Sequence, residues 1–139
     1  MIHRHTFVVR TRERGTVEIG DEVARIVAAS GIRLGLCNVF LPHTSASLIL
    51  CENADATVRH DLETAMRRLA PDGDPANAHD TEGPDDMPAH LRSVLTSNSL
   101  TIPCADGTLV LGAWQGVYLW EHRTSPHART VVVTVQGEP

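Results

Sequence analysis

Aromatic side chains make up only 4% of the 139-residue chain, too few for the stacked-base platform of a single-strand nucleic-acid binder. Excess positive charge is missing too. The formal net charge is −5 and the isoelectric point is near 5.8, so no nucleic-acid partner held by bulk electrostatics is expected. No run of about 18 apolar residues is present, and no membrane partner is expected. Met1-Ile2-His3-Arg4-His5-Thr6 has basic character, but no apolar stretch follows it. A secretory signal is therefore not expected, and the chain reads as soluble and cytoplasmic. The G-x-S-x-G elbow, the P-loop and the G-x-G-x-x-G fingerprint are all missing, which argues against a covalent serine hydrolase.

Cysteine is sparse and unpaired in pattern. Cys37, Cys51 and Cys104 are odd in number and form no C-x-x-C pair. Cys37 and Cys51 sit among apolar residues and Cys104 ends an apolar stretch, so buried reduced thiols account for them. A nucleophilic Cys51 beside Glu52 and Asn53 is the competing reading.

What is present fits one domain over residues 1–139, with 42% hydrophobic and 21% charged residues and enough length for a real core. Strands are predicted over 5–11, 34–41 and 46–51, the last two as buried runs. Apolar positions at three- and four-residue steps predict a helix over 21–30, with Asp21 as N-cap and Gly31 as the stop. A second helix is predicted over 54–69 from the stripe Val58, Leu62, Met66 and Leu69, capped by Asn53 or Asp55. Residues 71–87 carry almost no apolar side chains and read as a long loop. A short third helix over 88–95 would place Pro88 at its first position. Strands follow at 100–104 and 108–112 around the Asp106-Gly107 turn signal, then at 117–120 and 129–135. The fold class is α+β, a mostly antiparallel or mixed sheet with two main helices and a short third.

Five of the eight histidines lie in or beside compact polar motifs. His43 opens His43-Thr44-Ser45-Ala46-Ser47, where it can serve as ligand or general acid/base while Thr44 and Ser45 hold phosphate oxygens. His79 and His90 flank an acidic segment that offers Glu82, Asp85 and Asp86, a donor set suited to zinc or manganese. His60 precedes Asp61. Asn53, Asp55 and Asp61 surround the start of the second helix and could supply a carboxylate for magnesium. His122 lies in Glu121-His122-Arg123, just after Trp114-Gln115-Gly116, and Arg123 and Arg129 are candidate phosphate contacts. Solvated turns and helix caps are the competing account of each motif.

Taken in chain order, His43-Thr44-Ser45-Ala46-Ser47, Glu52-Asn53-Ala54-Asp55, Gly83-Pro84-Asp85-Asp86-Met87-Pro88-Ala89-His90 and Leu111-Gly112-Ala113-Trp114-Gln115-Gly116-Val117-Tyr118-Leu119 resemble the YjbQ family of small proteins. The resemblance runs from about Arg4 to Val135. It departs at Gly112-Ala113, where the family usually reads Gly-Thr. It implies a compact α+β domain that assembles as a homotrimer with a divalent cation, zinc or magnesium, held by His43, His79 and His90. It further implies His43, Asp61, Gln115 and Glu121 as catalytic groups, and Thr44, Ser45, Asn53, Arg123 and Arg129 as contacts to a small phosphorylated metabolite. The implied activity is that of a secondary thiamine-phosphate synthase, which joins hydroxymethylpyrimidine diphosphate to a thiazole phosphate and releases diphosphate. Two alternatives stay open. One is a metal-dependent hydrolase or lyase with Asp61 or Glu121 as base; the other is a non-enzymatic trimeric metal- or metabolite-binding protein.

Overall fold

Eleven elements follow one another in the computed structural model, which describes residues 1–139. Strands β1 (Ile2–Thr11) and β2 (Gly15–Glu18) precede helix α1 (Gly20–Ala29). Strands β3 (Leu34–Phe40) and β4 (Ala46–Glu52) lead to helices α2 (Ala56–Leu69) and α3 (Asp86–Leu95). Strands β5 (Ser99–Ala105), β6 (Thr108–Leu109), β7 (Gln115–Glu121) and β8 (His127–Glu138) complete the single α+β domain. Five strands form one sheet in the order β1-β8-β3-β5-β6, and three form another in the order β2-β7-β4. Every pairing is antiparallel, so the mixed-sheet alternative drops out.

Alternation along the strands decides where the core lies. Val131, Val133 and Val135 of β8, Cys37 and Val39 of β3 and Ile102 and Cys104 of β5 point inward, where they meet Val117 and Leu119 of β7 and Val23 and Val27 of α1. The opposite face of the large sheet is open. Leu34, Leu36 and Phe40 stand 60%, 49% and 39% exposed, which corrects the expectation of a wholly buried strand at 34–41. The apolar run reflects two kinds of surface, one packed and one bare.

Helix boundaries differ from expectation for local reasons. Ile19, not Asp21, occupies the N-cap of α1, and Asp21 and Glu22 lie in its first turn, where carboxylates favour the helix dipole. Helix α2 starts two residues late, capped by Asp55, whose Oδ1 accepts from the Thr57 amide at 2.9 Å. Helix α3 starts two residues early, so Pro88 is its third residue. Its missing N–H costs nothing there, because first-turn amides have no intrahelical acceptor.

Strand differences are equally local. The unexpected β2 has only four residues and pairs along the edge of β7. Strand β6 stops at Leu109, and the Gly112 amide donates to the Gln115 side chain at 2.8 Å instead of to a strand. The Asp106-Gly107 turn forms as expected, with both residues at positive φ, 53° and 73°. Cys37 and Cys104 are buried, Cys51 is half-buried, and all three are free. Burial pushes the Cys37 thiol up to about 12.

Candidate functional site

Helix α3 places Asp86 and His90 one turn apart, so both side chains share a face. The loop before α3 brings His79 onto that face. His79 Nε2 lies 2.6 Å from Asp86 Oδ2, and His90 Nε2 lies 3.4 Å from the same oxygen. The two rings meet edge-on with centroids 5.4 Å apart, and one ligand atom from each of the three residues fits within 4.8 Å. Asp86 is nearly buried while both imidazoles are partly open. Two imidazoles and a carboxylate on an accessible corner can hold a divalent cation.

Arg123 fixes that corner from behind. Its Nη1 donates to Asp86 Oδ1 at 3.0 Å, its Nε to Asp85 Oδ2 at 2.9 Å and its Nη2 to the Glu82 carbonyl at 3.0 Å. Asp85 Oδ2 also accepts from the Thr124 amide and hydroxyl, at 2.9 and 3.1 Å. Burial pushes the Asp85 carboxyl upward, but the hydrogen bonds from Thr124 and the Arg123 guanidinium outweigh it and bring it down to about 2. Arg123 is thus a clamp on the acidic segment, with its donors turned inward instead of toward a phosphate.

A cavity of about 420 Å³ opens beside His90 and also receives His43, Thr44, Ser93 and Asn98. His43 lies in the turn after β3, where β3 no longer covers β8. Its Nε2 accepts the Thr130 amide proton at 2.8 Å, so the ring proton sits on Nδ1. Burial, then the nearby Arg129 charge, lowers its pKa and keeps the ring neutral. His43 therefore shares a cavity with His90 but spends its lone pair on the backbone. The compact donor set contains Asp86 in the place expected for His43.

Other expected site residues lie elsewhere. Glu121 is fully buried with Arg129. Its Oε1 accepts from Thr11 Oγ1 at 2.7 Å and Arg129 Nε at 2.8 Å, while its Oε2 accepts from Arg129 Nη2 and the Arg123 amide. Burial raises the Glu121 carboxyl, yet the Arg129, Thr11 and Arg123 hydrogen bonds prevail and hold it below its usual range. Arg129 also donates to the Ser45 hydroxyl and carbonyl at 2.9 and 3.1 Å. Glu121, Arg129 and Ser45 thus form an internal ion-pair network between the sheets, closed to a cleft.

Gln115 and Asn53 stand at the far end of β7 from Glu121, roughly 20 Å away along the strand at about 3.4 Å per residue. Both are exposed there. Gly116 between them is required by close packing, since a Cβ would come within 2.7 Å of the Tyr118 ring and 3.1 Å of Asn53 Cβ. Asp61 is exposed on α2 and pairs with His60 at 3.2 Å. Within the chain, the structure gathers His43, Thr44, His79, Asp86 and His90 but leaves Asp61, Asn53 and Gln115 apart.

The burial of two groups escaped sequence reasoning, one of them the motif residue His122. His122 is fully buried with Nε2 2.8 Å from Ser47 Oγ, and burial followed by the Arg92 charge pushes its pKa down to about 3. Arg92 on α3 is also fully buried, and nothing in its sequence neighbourhood signals that. The four-residue step from Asp86 to His90 was the available signal for the donor set.

Residues 5–138 match the family model described as UPF0047 protein YjbQ-like. The chain belongs to the YjbQ family. UPF0047 protein sll1880 of Synechocystis is 48% identical over 136 residues, covering 98% of this chain and 92% of the relative. UPF0047 protein YjbQ of Escherichia coli O157:H7 is 40% identical and covers 99% and 100%. The conserved hypothetical protein TT1486 of Thermus thermophilus superposes with a TM-score of 0.85 at 36% identity, covering 95% and 99% of the two chains. A YjbQ/UPF0047 protein of Clostridium acetobutylicum gives a TM-score of 0.87 at 30% identity, covering 95% and 99%. The four YjbQ-like motifs fall at the β3–β4 turn, the end of β4, the start of α3 and the start of β7, so they are spread over two regions of the domain.

Proposed function

We propose that the chain binds a divalent cation at His79, Asp86 and His90 and uses it on a small phosphorylated metabolite. The observation that carries this reading is the meeting of two imidazoles and a carboxylate beside the cavity shared by His90 and His43. Two nitrogen donors favour zinc over magnesium, which prefers oxygen ligands. Bound there, such a cation would offset the charge that develops on a departing phosphate group. Arg123 orients Asp86 by holding its second oxygen, as outer partners of metal ligands do. Neutral His43 and the Thr44 hydroxyl line the cavity, where they can donate to phosphate oxygens, whereas the Ser93 and Thr96 hydroxyls are given to the Ala46 and Arg92 carbonyls.

Among reactions of this kind we favour the thiamine-phosphate synthase-like condensation over carboxylate-assisted hydrolysis. In the condensation a bond forms from the thiazole nitrogen to the pyrimidine methylene carbon as the carbon–oxygen bond to diphosphate breaks. Hydrolysis calls for a free carboxylate at the cavity, and none lines it. Asp61 is on the outer surface of α2, and Glu121 is committed to Arg129. A non-enzymatic binding protein is the second reading, favoured because Val94 is the only apolar side chain lining the cavity and no Phe, Tyr or Trp lines it.

A homotrimer belongs to the same reading. Val8, Leu34, Leu36 and Phe40 stand exposed on the outer face of the large sheet, and a second copy laid there would remove apolar surface from water. A cytoplasmic location also goes with it, since three free cysteines suit a reducing compartment.

Elemental analysis of the purified chain, set against a His79→Ala/His90→Ala double variant, tests the proposal. Stoichiometric metal in the wild type and none in the folded variant is expected. Diphosphate release from the two substrates should then depend on the loaded wild type. Equal metal in the two proteins would overturn the site, and metal without turnover would leave the binding-protein reading.

A further inference from the structure

The sequence has no lysine, and all twelve of its permanently cationic side chains are arginines. Three of them, Arg14, Arg67 and Arg92, line one cavity of about 550 Å³. Glu13, Asp72 and Thr124 complete its wall, and Pro71 is the only lining side chain without a polar atom.

The three guanidiniums are in different states. Arg14 is filled, donating to both Asp72 oxygens at 2.8 and 2.9 Å and to the His122 carbonyl at 3.0 Å. Arg67 is mostly exposed and approaches Glu63 only to 3.7 Å. Arg92 is wholly buried and donates Nη1 to Glu63 at 2.8 Å, but its Nε and Nη2 have no acceptor. Buried N–H groups in folded proteins are nearly always paired, so a buried guanidinium with two open donors is an unmet demand for acceptors. Glu63 does not meet it. One of its oxygens serves Arg92 and faces Arg67, and the other takes the Trp120 indole N–H at 3.2 Å.

We propose that this arginine-lined cavity binds a phosphate group, carried on a small polar molecule or free in solution, with Arg92 at its base and Arg67 at its rim. Guanidinium groups match phosphate in charge and in fork geometry. Walls with almost no apolar side chain select a polar body, such as a sugar phosphate, over an aromatic heterocycle. The exposed Glu13 opposes negative charge at the opening. The site shares no lining residue with the His79–Asp86–His90 corner and does not rest on the cation reading.

Phosphate titrated into the chelator-treated full chain at pH 7, followed by calorimetry, tests this. Saturable binding is expected in the wild type, weakened at least tenfold by Arg92→Met and several-fold by Arg67→Ala, and tightened by Glu13→Gln. The exposed Arg67 keeps the test valid even where Arg92→Met fails to fold. A His79→Ala/His90→Ala variant should bind unchanged. Ribose 5-phosphate binding more tightly than phosphate would identify an organic monoester as the ligand, and equal binding would identify the free ion. No saturable heat in the wild type, or binding that survives the Arg67 and Arg92 changes, overturns the proposal. Loss confined to the His79/His90 variant also overturns it, by moving phosphate to the other corner.

Discussion

Two acid–base clusters meet at Arg123 and differ in how their hydrogen bonds are spent. In one, Glu121 and Arg129 are buried against Thr11 and Ser45, and both carboxylate oxygens are filled from within the chain. In the other, Asp86 is anchored by Arg123, but His79 and His90 remain partly open to solvent. Arg123 gives its backbone amide to the first cluster and its guanidinium to the second. Both clusters set a carboxylate against an arginine, so the ion pair alone does not separate the two. A charged group whose partners are all internal holds the fold together, whereas one with open partners at a cavity is left free for a ligand.

The largest expected effect comes from breaking the closed cluster. Glu121→Ala leaves the Arg129 charge buried without its partner, which should cost about 3–5 kcal/mol. Replacing both residues with apolar ones of similar volume should recover most of that loss. Urea unfolding of the single and double variants measures it, and a single-variant loss below about 1 kcal/mol would show that the pair is not the staple between the sheets.

Acid titration reads out the buried histidine of the closed region. The folded His122 takes up its proton only near pH 3, whereas its unfolded value is close to 6.5. Between those values the unfolded chain binds more protons, so the contribution is complete above pH 6.5 and is lost as pH falls toward 3. Its size should be a few kcal/mol. Stability measured from pH 7 to 4 should therefore fall in the wild type and flatten in His122→Gln. An unchanged slope would place the acid sensitivity elsewhere.

A smaller change is expected at the hinge between the clusters. Arg123→Ala removes hydrogen bonds to Asp85, Asp86 and Glu82 and should cost about 1–3 kcal/mol. The depressed Asp85 carboxyl contributes stability above its unfolded value near 3.8, lost as pH falls through about 2. The variant should shed part of that contribution, shifting the acid-unfolding midpoint upward; an unmoved midpoint would mean that Thr124 alone holds Asp85. The smallest effect is expected at the open cluster, where His79→Ala and His90→Ala should each change stability by no more than about 0.5 kcal/mol without metal. Thermal melts with and without zinc would show a metal-dependent gain in the wild type only.

The contrast between these clusters also marks what the sequence makes legible. The Val58–Leu69 stripe and the Asp106-Gly107 turn are local patterns, and the structure contains both α2 and the tight β5–β6 hairpin. The apolar run at 34–40 identifies β3 but not its bare outer face, because exposure there depends on what the other elements cover. Glu121 and Arg129 are eight residues apart yet join different sheets. Nothing local distinguishes that pair from a solvated turn. Burial of Arg92 is likewise a tertiary fact, set by Glu63 on the preceding helix. His79 and His90 lie far apart in sequence and come together only because Asp86 stands between them in space.

The hydrogen bond from the Thr130 amide to His43 Nε2 has a kinetic consequence. Where β3 ends, an imidazole stands in for the missing strand and shields one backbone proton from solvent. Protonating that ring removes the acceptor, so hydrogen exchange at the Thr130 amide should lose its protection as His43 takes up a proton. A single peptide group would then act as a clock for the ionisation of a single side chain at the cavity wall.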